Sequence, residues 1–157
     1  MNLYGPGDNF DPASSHVIPA LILKTWQAMQ QGESEIVLWG DGSPTREFLY
    51  VTDAAEGICL AAERLDQPIP VNLGTGTEIS IRDLAGRITE VMAFRGSIRW
   101  DTSQPNGLPR RRLDVTRAKE LLGFEARVGF EEGLQNTVGW FLDNASEVVS
   151  SFSVPAR

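Results

Sequence analysis

A few places in this chain carry side chains suited to chemistry. His16, in the run Ser14-Ser15-His16-Val17-Ile18-Pro19-Ala20-Leu21, is the only histidine in 157 residues. An imidazole with an ordinary pKa of about 6.5 exchanges protons near neutral pH, so its functional reading is a general acid or base. A surface or helix-capping histidine is the structural alternative. Arg110-Arg111-Arg112 follows a Pro/Gly loop, and Arg46 lies behind the loop Gly40 to Thr45 and ahead of an apolar strand. Planar guanidinium forks in such settings suit bidentate contact with phosphates, although a run of charge is also what a solvated face looks like. Trp39 either fills core or stacks on a base. Cys59, within Gly57-Ile58-Cys59-Leu60-Ala61, reads as helix packing rather than as a nucleophile.

Other chemistries are absent from the pattern. A dinucleotide site needs a Gly-rich turn between strand and helix; Gly74-Thr75-Gly76 lacks the third glycine and leads into another extended stretch, so it reads as a tight turn. One cysteine makes no internal disulfide, and no Cys/His cluster offers the ligands of a zinc site, so no metal is expected. With 21 acidic against 14 basic residues the net charge is −7, and three adjacent arginines give too small a footprint for nucleic acid or an anionic membrane. No stretch approaches the roughly 18 apolar residues of a membrane span, and the first twenty residues do not read as a signal peptide. A soluble protein of a reducing cytoplasm is the expectation.

The elements that must position these residues follow from periodicity. Residues 2 to 15, dense in Gly, Pro, Asn, Asp and Ser, read as an irregular loop. A helix from Val17 to Gln31 carries Ile18, Leu21, Ile22, Trp26 and Met29 at three- and four-residue steps, with Ser14 or Ser15 as its cap and Gly32 as its stop. Ile36 to Trp39, Glu47 to Val51, Pro70 to Leu73 and Ile98 to Trp100 read as short strands. Further helices are expected from Asp53 to about Leu65, from Ser80 with Asp83 as a capping pair, from Thr116 to Leu122 with Gly123 as stop, and from Phe130 to Asn144. Residues 146 to 157 are expected to fray. The fold class is α/β: a small mixed domain with short strands and about five helices, without the strand and helix alternation of a complete doubly wound sheet.

Four stretches resemble a known family. They are N-L-Y-G-P-G-D-N-F-D-P-A-S-S-H-V-I-P-A-L, L-W-G-D-G-S-P-T-R-E-F-L-Y-V-T-D-A-A-E, V-N-L-G-T-G-T-E-I-S-I and W-D-T-S-Q-P-N-G-L-P-R-R-R-L-D-V-T-R-A. In order, from Asn2 to about Leu142, they are similar to the C-terminal half of the GDP-L-fucose synthases, extended short-chain dehydrogenase/reductases of the NAD-dependent epimerase/dehydratase family. Some pieces are shared widely among relatives acting on nucleotide sugars; the D-N-F-D-P and W-D-T-S-Q-P-N-G segments are more particular to this family.

The resemblance implies a reaction: GDP-4-keto-6-deoxymannose is epimerised at C3 and C5 and then reduced at C4 with NADPH. It implies His16 as the acid of the epimerisation, and Asn2, Val17, Leu21, Leu38, Trp39, Arg46 and Arg111 as the lining of the GDP pocket, with Arg46 on the diphosphate. Arg111 stands where the family commonly has lysine, and the two make different contacts. The resemblance also implies that residues 1–145 are the substrate-binding part of an incomplete Rossmann-type fold. The NADP-binding part, its Tyr-x-x-x-Lys pair and the cysteine partnering the histidine would lie upstream; Asp8 and Ala54 follow Tyr4 and Tyr50 at that spacing. A fragment, incompetent for the reduction by itself, with apolar surface exposed on residues 53–65 and 71–73, is therefore expected, the full-length members being homodimers. Another nucleotide-sugar epimerase or dehydratase, and a stand-alone nucleotide-sugar binding module, are the alternatives.

Overall fold

Three small β-sheets and a set of helices share one principal core in the computed structural model, which describes residues 2–152. The chain opens on β1 (Asn2–Tyr4), which pairs in parallel with β4 (Phe48–Tyr50). The expected irregular loop therefore begins only at Gly5. The two strands are three residues each, too short for a periodic signal, and their pairing spans more than forty positions.

Helix α1 (Val17–Gln31) has the expected bounds and ends on Gly32, whose φ of 67° is the left-handed conformation a glycine stop supplies. Its cap differs. His16 occupies that position without a side-chain cap bond, because the Ser14 hydroxyl is engaged with Asn9 and Asp11. From α1 the chain enters β2 (Glu35–Trp39), paired in parallel with β6 (Ser97–Asp101). β3 (Thr45–Arg46) is the centre of a third sheet, antiparallel to β5 (Ile79–Ser80) and parallel to β7 (Arg110–Arg111).

Helix α2 (Val51–Arg64) buries only Asp53, Ala54 and Gly57; Ile58 is 61% exposed, and Cys59, expected to pack, is exposed as well. Pro70 to Leu73 forms no strand. It has no strand neighbour among the described residues, and Val71 and Leu73 instead lean on a small second cluster around Leu49, Ala118, Leu122 and Phe124. Helix α3 (Ile81–Val91) starts on the expected cap, where the Ser80 hydroxyl accepts from the Asp83 amide at 2.9 Å. A short π-helix (Ala118–Leu122) stops at Gly123, φ 64°.

Helix α4 (Phe130–Ser151) runs past the expected end at Asn144, so residues 146–151 are helical rather than frayed; Val148, Val149 and Phe152 continue the apolar face onto the core. The rest of the expected tail lies outside the described residues. That core joins Ile18, Leu21 and Ile22 of α1, Leu38 of β2, Leu84 and Ile88 of α3, and Leu134, Val138 and Phe141 of α4. Phe10 anchors the loop before α1: it is fully buried, its ring centroid 4.6 Å from that of Phe141. No helix among the described residues is long and apolar enough to cross a membrane.

Candidate functional site

Two loops run side by side between the second and third sheets. One, residues 40–44, turns on Gly40 (φ 76°) and Gly42 (φ 75°) and links the end of β2 to β3. The other, residues 102–109, links the end of β6 to β7. They are laced together, since Gly40 N donates to Asp101 O at 2.9 Å, Asp41 N to Asn106 Oδ1 at 2.8 Å, and Thr45 N to Pro109 O at 2.9 Å. Glycine is required at position 42, where a Cβ would lie 2.6 Å from the Trp100 ring.

Trp39 stands where β2 enters this pair of loops. It is 69% exposed, so its alternative reading as core filler fails. β2 alternates inward at Ile36 and Leu38, which leaves residue 39 on the open face.

Arg46 and Arg111 are strand partners in β3 and β7, as are Thr45 and Arg110. Side chains of opposed residues project to one face and those of successive residues to opposite faces. The two guanidinium groups therefore share one face of the third sheet, and Thr45 and Arg110 share the other. On that second face Glu78 settles the charge: it accepts from Arg110 Nε at 2.9 Å and from Thr45 Oγ1 at 2.8 Å. These hydrogen bonds, that of Arg110 foremost, hold the Glu78 carboxyl down at about 2. Among the described residues neither Arg46 nor Arg111 forms an ion pair. Arg46 donates to Thr45 O at 2.7 Å and reaches the second loop, 3.9 Å from where a Cβ on Gly107 would be.

Asn2, at the start of β1, donates from Nδ2 to Glu47 O at 3.3 Å, next in sequence to Arg46. Leu21 and Leu38 are each 7% exposed and belong to the main core, so they build the wall behind the site rather than its surface. Val17 is half-buried against that core.

His16 is exposed at the mouth of α1, in extended backbone with ψ 173°. The loop that delivers it is fixed by Phe10 below and by hydrogen bonds above, among them Ser15 N to Asp11 O at 2.8 Å. Asp8 lies on the same loop with Oδ2 buried and unpaired among the described residues. Burial raises its carboxyl pKa, while the Asn9 amide and the nearby His16 pull it down.

Sequence reasoning missed three contributors. Asn106 sits in a segment read as loop, and Glu78 in the extended stretch that follows the Gly74-Thr75-Gly76 turn. Glu47 is 2% exposed, and the only hint of it was a carboxylate inside the apolar run Arg46-Glu47-Phe48-Leu49-Tyr50. It also decides the dinucleotide question: the Thr75 and Gly76 amides of the Gly-x-Gly turn donate to Glu47 Oε1 at 2.7 and 2.9 Å. Those amides are spent on a carboxylate within the protein, so the turn does not fit a cofactor pyrophosphate. A cavity of about 620 Å³, bordered by Thr45, Glu78, Ser80, Tyr4, Phe48 and Phe130, lies toward the opposite face of the third sheet, and its lining includes none of His16, Trp39, Arg46 and Arg111.

Residues 1–74 match the NAD dependent epimerase/dehydratase family. "Probable GDP-L-fucose synthase 1" of Oryza sativa subsp. japonica is 42% identical over 143 residues, 91% of this chain and 43% of the relative. GDP-L-fucose synthase of Escherichia coli (strain K12) is 43% identical over 152 residues, 91% of this chain and 47% of the relative. The crystal structure of a GDP-L-fucose synthetase from Naegleria fowleri bound to NADP superposes with a TM-score of 0.86 at 33% identity, covering 92% of this chain and 46% of that one. The chain thus spans about half the length of the curated relatives it matches. Over its first 74 residues the chain is similar to the NAD dependent epimerase/dehydratase family, and over about nine-tenths of its length to roughly half of several GDP-L-fucose synthases.

Proposed function

We propose that this chain is the C-terminal, substrate-binding part of a GDP-L-fucose synthase, acting in the full-length enzyme on GDP-4-keto-6-deoxymannose. The observation that carries the reading is the in-register pairing of Arg46 with Arg111, without an acidic partner among the described residues, together with an exposed Trp39 at the start of the loop that leads into β3. A nucleoside diphosphate meets those needs: phosphate oxygens between two guanidinium forks, and a purine on an indole face. Asn2 and the half-buried Val17 complete the lining, backed by Leu21 and Leu38.

His16 is the proton donor in this reading. A 4-keto group acidifies the neighbouring C–H bonds; once a base has taken the carbon-bound proton, the electron pair rests on the keto oxygen as an enediolate. His16 delivers a proton to that carbon from the opposite face, the electron pair returns to form the C–H bond, and the centre is inverted. An exposed imidazole on an anchored loop has the access and the fixed position this needs.

NADPH, when bound to a full-length enzyme of this kind, supplies hydride to C4. The Gly74-Thr75-Gly76 turn does not fit that cofactor, and no step of the reduction is assigned to the described residues. The same reading takes the full-length protein to be a cytoplasmic homodimer.

Calorimetric titration of the purified chain with GDP, UDP and dTDP tests the proposal. Saturable binding with GDP preferred is expected, together with no NADPH oxidation by the chain in the presence of GDP-4-keto-6-deoxymannose. Equal binding of UDP or dTDP would favour another nucleotide-sugar epimerase or dehydratase, and robust NADPH turnover would overturn the assignment to a substrate-binding part.

A further inference from the structure

We infer that Glu47 is a positioning residue for the anion site: its carboxylate ties the Gly74-Thr75-Gly76 turn and the end of β7 to β3, and so holds Arg111 opposite Arg46. The inference rests on the reading of Arg46 and Arg111 as ligands of a diphosphate.

Glu47 makes contact with three separate parts of the chain. Its Oε1 accepts from Thr75 N and Gly76 N at 2.7 and 2.9 Å, and its Oε2 accepts from Leu113 N at 2.7 Å. Its own amide donates to Arg111 O at 3.2 Å, and its carbonyl accepts from Asn2 Nδ2. Arg111 and Leu113 are therefore both fastened to this one residue, on either side of Arg112. β7 is only two residues long and exposed, so these fastenings replace the packing that would hold a longer strand.

Glu47 has no cationic partner among the described residues, and three charge-assisted amide bonds offset the desolvation of its buried carboxylate. A neutral amide cannot do the same work. Glutamine would present N–H toward either the Leu113 amide or the turn amides, donor against donor. The turn is shaped around the carboxylate in its turn, since any side chain at Gly74 would run into Glu47 Oε1. The charge is confined to the amides, which leaves the two guanidinium groups unneutralised for a ligand.

The experiment compares GDP with guanosine, which lacks the phosphates, for the whole chain and for Glu47→Gln, Arg111→Ala and the double variant. Arg111→Ala is expected to weaken GDP and spare guanosine. Glu47→Gln is expected to weaken GDP about tenfold, to leave guanosine within about twofold, and to change GDP affinity by less than about twofold once Arg111 is gone. Should Glu47→Gln not fold, Gly74→Ala displaces the same carboxylate from its other side and is expected to give the same pattern. The positioning role is overturned if GDP and guanosine suffer equally, if GDP affinity is unchanged, or if the loss persists in full without Arg111. If Arg111→Ala itself leaves GDP affinity intact, the diphosphate reading fails, and the inference with it.

Discussion

Arg46 and Arg111 lie opposite one another on adjacent parallel strands, two like charges in register on one face of a three-stranded sheet. Like charges placed directly opposite one another destabilise a sheet. The structure relieves the neighbouring cation, Arg110, with Glu78, and among the described residues no acidic group pairs with Arg46 or Arg111. Replacing Arg111 with threonine is therefore expected to raise the stability of the ligand-free chain by a few tenths of a kcal/mol. It should also abolish the rise in Tm that GDP gives the native sequence. Thermal unfolding with and without GDP checks both halves.

Trp39 separates binding from folding. Its side chain is largely in solvent, so Trp39→Ala should leave the unfolding free energy from urea titration within about 0.5 kcal/mol of the native chain's. Removing the stacking surface should weaken GDP by about 1–3 kcal/mol, the magnitude seen when a base loses its aromatic platform. Denaturation and calorimetry on one preparation measure the two effects.

Two glycines of α4 should respond with opposite signs to the same change. An exposed helical glycine costs about 1 kcal/mol relative to alanine. At Gly139 nothing lies within 4 Å of a new Cβ, so Gly139→Ala is expected to stabilise by about that amount. At Gly133 the Cβ would sit 2.9 Å from Tyr50 Cδ2 and press on the Tyr4 hydroxyl, so Gly133→Ala is expected to destabilise despite its helix propensity. Paired urea titrations give the signs.

The pH dependence follows from Glu78. Its folded-state pKa is depressed, from the ordinary 4.5 to about 2, by Arg110 and then Thr45. A depressed carboxyl contributes stability above its unfolded pKa and loses it as pH falls through the folded value. The stability difference between the native chain and Glu78→Gln should therefore be full above about pH 4.5 and shrink toward about pH 2. Denaturation series across that window check it.

What the sequence revealed was what is local. The three- and four-residue spacing of Ile18, Leu21, Ile22 and Trp26, the Gly32 and Gly123 stops and the Ser80–Asp83 cap each lie within one or two helical turns, and the structure keeps them all. β1, β3, β5 and β7 were hidden because strands of two or three residues have no period, and their partners are distant in the chain. Pro70 to Leu73 failed in the other direction: apolar residues alone do not make a strand without a neighbour to pair with.

The candidate site shows the same division. His16, Trp39, Arg46 and Arg111 could be singled out by chemical type. That Arg46 and Arg111 share one sheet face, and that Glu47 rather than a phosphate fills the Gly74-Thr75-Gly76 turn, depends on contacts between positions about 30 to 65 apart. No spacing within the sequence carries that information.

The most direct measurement is an NMR titration of the labelled chain with GDP, following the tryptophan indole and arginine guanidinium signals. The Trp39, Arg46 and Arg111 side-chain signals are expected to shift together and saturate at one concentration, with Arg110 and Trp140 unmoved. Shifts centred on Arg110 and the cavity behind the third sheet, or no saturable shift at all, would contradict a nucleotide site on the face that Arg46 and Arg111 share.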